Sequence, residues 1–143
     1  MPDAENLLSR KKEAVASLPP GATVLDAAKL MNERHIGSVV VVDRGRLVGI
    51  FTERDVLRRI VAATRDPART KLEEVMTTQV ACATPKTRLD EIRAVMREKR
   101  IRHMPVVDGG LVIGMVSIGD LNRAKHDVQE RTIEYLERYM SVS

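Results

Sequence analysis

The sequence predicts an α/β (α+β) fold made of two pseudo-symmetric copies of a β-α-β-β-α unit, followed by an extended C-terminal helix. A gapless shift of 65 positions lays residues 20–58 on 85–123 with eleven identities. Pro20 falls on Pro85, Met31 on Met96, Ile36 on Ile101, Asp43 on Asp108, Gly49 on Gly114 and Asp55 on Asp120. Gly, Pro and Asp kept in register without a gap imply two copies of one supersecondary unit. Within each copy the apolar period also switches from helical to extended and back, which orders the elements.

A short strand is expected around residues 14–18, and its counterpart around 80–84. Leu25, Ala28, Leu30 and Met31 recur at helical spacing and predict a helix from Thr23 to about Arg34. Ser38 to Val42 is a nearly unbroken β-branched run, as expected of a strand covered on both faces. Asp43-Arg44-Gly45-Arg46 supplies turn chemistry, Leu47 to Phe51 returns as a strand, and a helix follows from Glu53 to about Ala63. The second copy repeats this as helix 88–99, strand 104–107, turn Asp108-Gly109-Gly110, strand 111–116 and a helix from 118 onward. The chain thus divides into an N-terminal segment (1–13), a first repeat (14–66), a second repeat (67–126) and a helical extension (127–143). A link from Thr64 to Thr70, with Pro67, joins the halves. In the extension, Leu121, Ala124, Val128, Thr132, Tyr135 and Tyr139 form one stripe. Such a stripe calls for a covering helix, from the same module or from a second copy.

Composition bounds the function. A chain of 143 residues with 43% apolar and 31% charged residues is an ordinary globular composition. Phe51, Tyr135 and Tyr139 are its aromatics and Trp is absent, so the stacking platforms of single-strand nucleic-acid binders are missing. The net charge of +4 suits anionic ligands, but basic and acidic residues are interspersed. Cys82 is the single cysteine, read as a small buried hydrophobe, and the reducing cytoplasm is the default compartment. No apolar run reaches the ~18 residues of a membrane span.

Two matching segments are positioned for chemistry: Gly49-Ile50-Phe51-Thr52-Glu53-Arg54-Asp55 and Gly114-Met115-Val116-Ser117-Ile118-Gly119-Asp120. Each sets a strand glycine, a hydroxyl residue at a helix start, and a carboxylate three residues on. The same spacing is that of a helix capping box, and Thr23/Asp26 and Thr87/Asp90 show it at the other two helices. Only Thr52 and Ser117 follow a strand glycine, which marks close approach of a ligand or of other backbone. A helix N-terminus suits a phosphate, and a carboxylate one turn in could accept from two ribose hydroxyls.

These segments, with Arg100-Ile101-Arg102-His103-Met104-Pro105-Val106-Val107-Asp108 and Val75-Met76-Thr77, resemble a tandem cystathionine-β-synthase (CBS) domain pair, or Bateman module. The resemblance spans roughly Val15 to Lys125. It implies two repeats packed sheet to sheet and an adenosyl ligand (AMP, ADP, ATP or NAD) bound for regulation rather than catalysis. Asp55 and Asp120 would then hold ribose, with Thr52 and Ser117 at phosphate. By position, Thr52 and Asp55 would face Ala81, Ile101, Arg102 and His103, while Ser117 and Asp120 would face Ala16, Ile36, Gly37 and Ser38. Arg54, Arg102 and His103 make the Asp55 cleft cationic. Gly119, Gly37 and Ser38 stand at the matching positions of the other cleft, which is expected to be less charged. Copy one departs from the family pattern at Val40, where copy two has Pro105. The resemblance further implies a homodimer that signals to an effector protein.

Other constellations are thin. His35, His103 and His126 lack metal spacing, Asp108-Gly109-Gly110 is a hairpin turn, and nothing orients a Cys82–His103 nucleophile pair. The rival reading is a nucleic-acid-binding or purely structural dimerisation protein using Arg10-Lys11-Lys12, Arg58-Arg59 and the basic link. An enzymatic reading lacks a recognisable base, nucleophile or metal site.

Overall fold

Two β-hairpins form the centre of the fold. The computed structural model describes residues 2–11 and 14–125, so the predicted extension 127–143 lies outside them. Its elements are α1 (Ala4–Arg10), β1 (Ser17–Leu18), α2 (Val24–Arg34), β2 (Ser38–Asp43), β3 (Arg46–Thr52) and α3 (Glu53–Asp55), which runs into a π-helical stretch (Val56–Val61). There follow α4 (Leu72–Val75), α5 (Leu89–Lys99), β4 (His103–Asp108), β5 (Leu111–Ser117) and α6 (118–125). Strands β2 and β3 pair antiparallel from Ser38↔Thr52 to Asp43↔Arg46, and β4 and β5 from His103↔Ser117 to Asp108↔Leu111. Both ladders slip at the same place, Val41/Val42 and Val106/Val107. Both turns hold two successive left-handed residues, Arg44-Gly45 and Gly109-Gly110, whose twist matches that of the flanking strands.

Alternation along the strands separates two faces. Val39, Val41 and Phe51 point to α2 and join Val24, Ala27 and Met31 in the first core. Met104, Val106 and Val116 join Ile92 and Met96 in the second. Val40 and its partner Ile50 are buried outside both cores, as is Pro105, paired with Met115. They lie on the opposite faces, where β3 meets β5 and the repeats pack sheet to sheet.

Several expectations are corrected. The first short strand is reduced to β1, parallel to β2, and its counterpart to a single bridge, Ala83↔Val106. The cause of the second is Pro105. In the first repeat the Val40 N–H donates to the Ala16 carbonyl (3.0 Å), but Pro105 has no N–H to offer Ala81. The helix expected from Glu53 is α-helical for one turn only. The Ala62 N–H then donates to Leu57 and the Arg65 N–H to Ile60, both at 2.9 Å. This wider winding keeps Val56 and Ile60 against the core and leaves Leu57 and Val61 exposed. Cys82 is exposed rather than buried, because its neighbour Ala83 takes the inward position.

The larger departure is at the N-terminus, where the segment preceding the first repeat forms α1 and packs on the second. Asp3 and Asn6 make its capping box. The Ala4 N–H donates to Thr87 (2.8 Å), Glu5 to Pro85 (2.9 Å), and Leu89 back to Pro2 (3.1 Å). Helix α4, which precedes the second repeat, makes the same bonds to the first: Leu72 to Ala22 (2.8 Å), Glu73 to Pro20 (3.1 Å), Val24 to Thr70 (2.9 Å). Each repeat is thus closed by the helix that leads into the other. Leu72 and Val75 enter the first core, Ala4 and Leu7 the second. The acceptors match under the shift of 65, but the helices match under 72 − 4 = 68, so a gapless alignment does not pair them.

Leu7→Ala should therefore destabilise the protein by roughly 2–5 kcal/mol, the range for truncating a buried leucine. Urea unfolding measures it; a change within about 0.5 kcal/mol, typical of a surface site, would mean that α1 is not part of the core.

Candidate functional site

Where the sheets meet, the helix starts after β3 and β5 each border a cleft. The first, of about 810 Å³, brings together Thr52, Arg54 and Asp55 with Ala81, Ile101, Arg102 and His103 of the other repeat. These are the residues assigned to it from the sequence. The cleft also gathers Arg58, Lys99 and Arg100, so five full cations stand against Glu53 and Asp55. Arg54 is steadied by donating from Nη1 to the Arg100 carbonyl (3.2 Å), which the left-handed backbone at Arg100 helps present. Apolar surface comes from Ile50, Leu57, Val80, Ala81 and Ile101. An apolar slot beside a cationic rim suits a flat base carrying phosphate.

The second cleft, of about 510 Å³, collects Ala16, Ile36, Gly37, Ser38, Ser117 and Asp120, again the residues expected there. It holds fewer cations than the first: three line it, Lys11, Arg34 and Arg123, with Lys11 arriving from the end of α1. The strand glycines, however, are explained differently. A Cβ on Gly49 would collide with the Met76 side chain and the Thr77 carbonyl, and one on Gly114 with Leu8. The chain itself makes the close approach, through the residues that follow α4 and those within α1.

Both carboxylates serve as caps. Asp55 Oδ2 accepts from the Thr52 N–H (2.9 Å) and Thr52 Oγ1 (3.1 Å), while Oδ1 faces Arg59 Nε at 3.6 Å. Asp120 Oδ2 accepts from the Ser117 N–H (2.9 Å) and from Lys11 Nζ (2.8 Å), and Oδ1 takes Arg123 Nη2. Thr23 and Asp26 form the expected box at α2. Thr87 and Asp90 do not, because α5 starts one residue later and Thr87 Oγ1 instead accepts from the Thr84 N–H (2.9 Å). Burial pushes the Asp120 carboxyl up, but the Lys11 and Ser117 hydrogen bonds outweigh it and hold its pKa below the usual carboxylate value.

His103 lines both clefts. Burial depresses its pKa; Glu53 and Asp120 favour the imidazolium, Arg102 and Lys11 oppose it, and the net shift is downward. Its backbone pairs with Ser117, and its ring lies beside Gly37, where Glu53 also packs.

Comparison with known proteins agrees with this architecture. Residues 8–62 and 72–127 each match the CBS domain. The chain belongs to the CBS domain family. This CBS pair is 36% identical over 107 residues to the CBS domain-containing protein YhcV of Bacillus subtilis, covering 75% of this chain and 76% of the relative. A putative signal-transduction protein with CBS domains from Burkholderia ambifaria superposes with a TM-score of 0.81 at 39% identity, over 86% of this chain and 93% of the other. The CBS domain pair of protein MJ0100, solved in complex with 5′-methylthioadenosine and S-adenosyl-L-methionine, superposes with a TM-score of 0.78 at 26% identity, over 89% and 98%. These matches indicate no enzymatic family.

Sequence reasoning missed the cations Arg58, Lys99 and Arg100 at the first cleft and Lys11, Arg34 and Arg123 at the second. Arg58 and Arg123 were visible as an identity under the 65 shift, and Arg34 and Lys99 as a conservative match. Lys11 had no such signal. Among the described residues no three His, Cys, Asp or Glu side chains cluster as a metal site, and no helix is long and apolar enough to cross a membrane.

Because the folded imidazole of His103 takes a proton less readily than the unfolded one, the unfolded state binds more protons below about pH 6.5. Stability should fall as pH drops through that value toward 5. Melting curves across this range should show a smaller acid loss for His103→Gln; an unchanged slope would exclude His103 as its source.

Proposed function

We propose that this CBS pair is a non-catalytic sensor that binds an adenine nucleotide (AMP, ADP, ATP or NAD(H)) in the Asp55 cleft. It would pass the resulting change in conformation or dimer geometry to an effector protein. The observation that carries this reading is the lining of the 810 Å³ cleft. An apolar slot, a capped carboxylate with its Oδ1 held only by a 3.6 Å ion pair, and five cations converge there from both repeats. Asp55 Oδ1 would take the ribose hydroxyls, Thr52 and the helix start would face phosphate, and Arg54 and Arg102 would neutralise it. Ile50, Ala81 and Ile101 would enclose the base. The adenosyl ligands of the MJ0100 pair support the ligand class. Because the cleft is made by two repeats, a ligand that prefers one relative placement of them shifts that equilibrium by its differential affinity.

The homodimer belongs to the same proposal. Its support is the apolar pair Leu57 and Val61, left exposed on the helix after β3. The free, exposed Cys82 suits a reducing compartment such as the cytoplasm.

The test is a thermal-shift panel of AMP, ADP, ATP, NAD+, NADH and GTP on the wild type and Asp55→Ala. At a hundredfold excess over Kd, ligand should add about 2.7 kcal/mol of stability, read as a rise of several degrees. The rise should be specific to an adenine ligand and lost in Asp55→Ala. A flat wild-type response to every adenine ligand would overturn the reading.

A further inference from the structure

The two clefts are related by the repeat, yet their carboxylates are in different states. Asp55 keeps a side-chain exposure of 15% and a single ion pair at 3.6 Å. Asp120 is 6% exposed and is engaged on both oxygens, by Lys11 Nζ at 2.8 Å and by Arg123. The difference originates at one symmetry-related backbone carbonyl. In the first repeat the Ile50 carbonyl accepts from the Thr77 N–H at 3.0 Å. At the matching position the Met115 carbonyl accepts from the Lys11 ammonium at 2.8 Å. A main-chain donor stops at the strand, whereas the ammonium that replaces it also reaches the carboxylate within the cleft. Leu8, one helical turn earlier, fills the space above Gly114 and seats the segment that delivers Lys11.

We infer that Lys11 is a built-in occupant of the Asp120 cleft, standing where the ribose hydroxyls of an adenine nucleoside would bind and restricting the protein to one nucleotide per chain. The inference rests on the proposed reading of the Asp55 cleft. A ribose diol donates hydrogen bonds, and so does the ammonium, so the two compete for one carboxylate. Lys11 is tethered by α1 and charged, which gives it the advantage over a neutral hydroxyl pair. Arg123 does not close the site alone, since it engages Oδ1 and leaves Oδ2 to Ser117 and Lys11. Its counterpart Arg58 lines the Asp55 cleft, so an arginine at this position is compatible with an open cleft. Lys11 is thus an occupancy-determining residue of this chain.

Equilibrium dialysis with radiolabelled ATP and adenosine, counted per chain, decides the matter. The wild type should bind one equivalent, lost in Asp55→Ala. Lys11→Met should bind two, Lys11→Arg should return to one, and Lys11→Met with Asp55→Ala should keep one that Asp120→Asn then removes. Lys11→Gln, which keeps a donor for Met115 but not the charge, provides a second variant should Lys11→Met fold poorly. If the wild type binds one and neither Lys11→Met nor Lys11→Gln adds another, Lys11 is no barrier and the inference falls while the Asp55 reading stands. A wild type that already binds two, with loss of one in Lys11→Met, would make Lys11 a ligand contact and overturn it. If the wild type binds none and Lys11→Met binds one that needs Asp120, Lys11 does occupy that cleft, but the limit of one nucleotide per chain is overturned and the Asp55 cleft does not take these probes. If no variant binds either probe, the inference falls, and the Asp55 reading falls with it only where the thermal-shift panel is flat for every adenine ligand.

Discussion

The structure depends on an exchange of helices between the repeats. Neither hairpin with the helices that flank it has a complete core; α4 closes the first and α1 the second. Each contributes a fully or nearly buried leucine, Leu72 or Leu7, and a second apolar side chain, Val75 or Ala4. Burying a leucine is worth roughly 1.5–3 kcal/mol, a large fraction of the stability of a domain of this size. The exchange also carries the chain across the seam where the clefts lie. Thr77, Gln79 and Val80 reach the Asp55 cleft because α4 packs on the first repeat. Leu8 and Lys11 reach the Asp120 cleft because α1 packs on the second. Stability and site construction therefore arise from one topological feature.

At the helix starts the same side chains have two physical roles. Thr52 and Asp55, like Ser117 and Asp120, satisfy backbone donors that a helix N-terminus leaves unpaired. Capping uses Oδ2 and fixes the carboxylate's rotamer, so Oδ1 is aimed before any ligand arrives. A preformed acceptor loses less rotamer freedom on binding than a mobile one. Structural capping and ligand recognition are compatible for this reason, and Thr23/Asp26 shows the cap alone, away from either cleft.

Three departures from pseudo-symmetry each trace to a single residue. Pro105 in place of Val40 removes a donor and reduces a parallel strand to one bridge. Lys11 in place of a main-chain N–H converts a strand contact into a charge inside the second cleft. His103, where the first repeat has Ser38, puts a ring with a depressed pKa between two carboxylates and two cations, bordering both clefts. A duplicated framework thereby acquires two unequal sites without altering its strand registers, which remain matched residue for residue.

The sequence by itself determined the repeat and the hairpins. These follow from local periodicity, turn chemistry and a gapless internal match, which carry the same information in both copies. That Thr52 and Asp55 face Arg102 and His103 was implied by the resemblance to CBS pairs, carried over by position, and not by the internal match. The tertiary structure alone decided which helix closes which repeat, how the helix after Thr52 winds, and what sits over Gly49 and Gly114. Helix α1 is seven residues long and offset by three from the register of the repeat, so its partner is chosen by the cavity left in the second core rather than by a local pattern. The charge of the Asp120 cleft followed from that docking. Lys11 is one basic residue among several in the sequence, and only the fold brings it within 2.8 Å of a buried carboxylate.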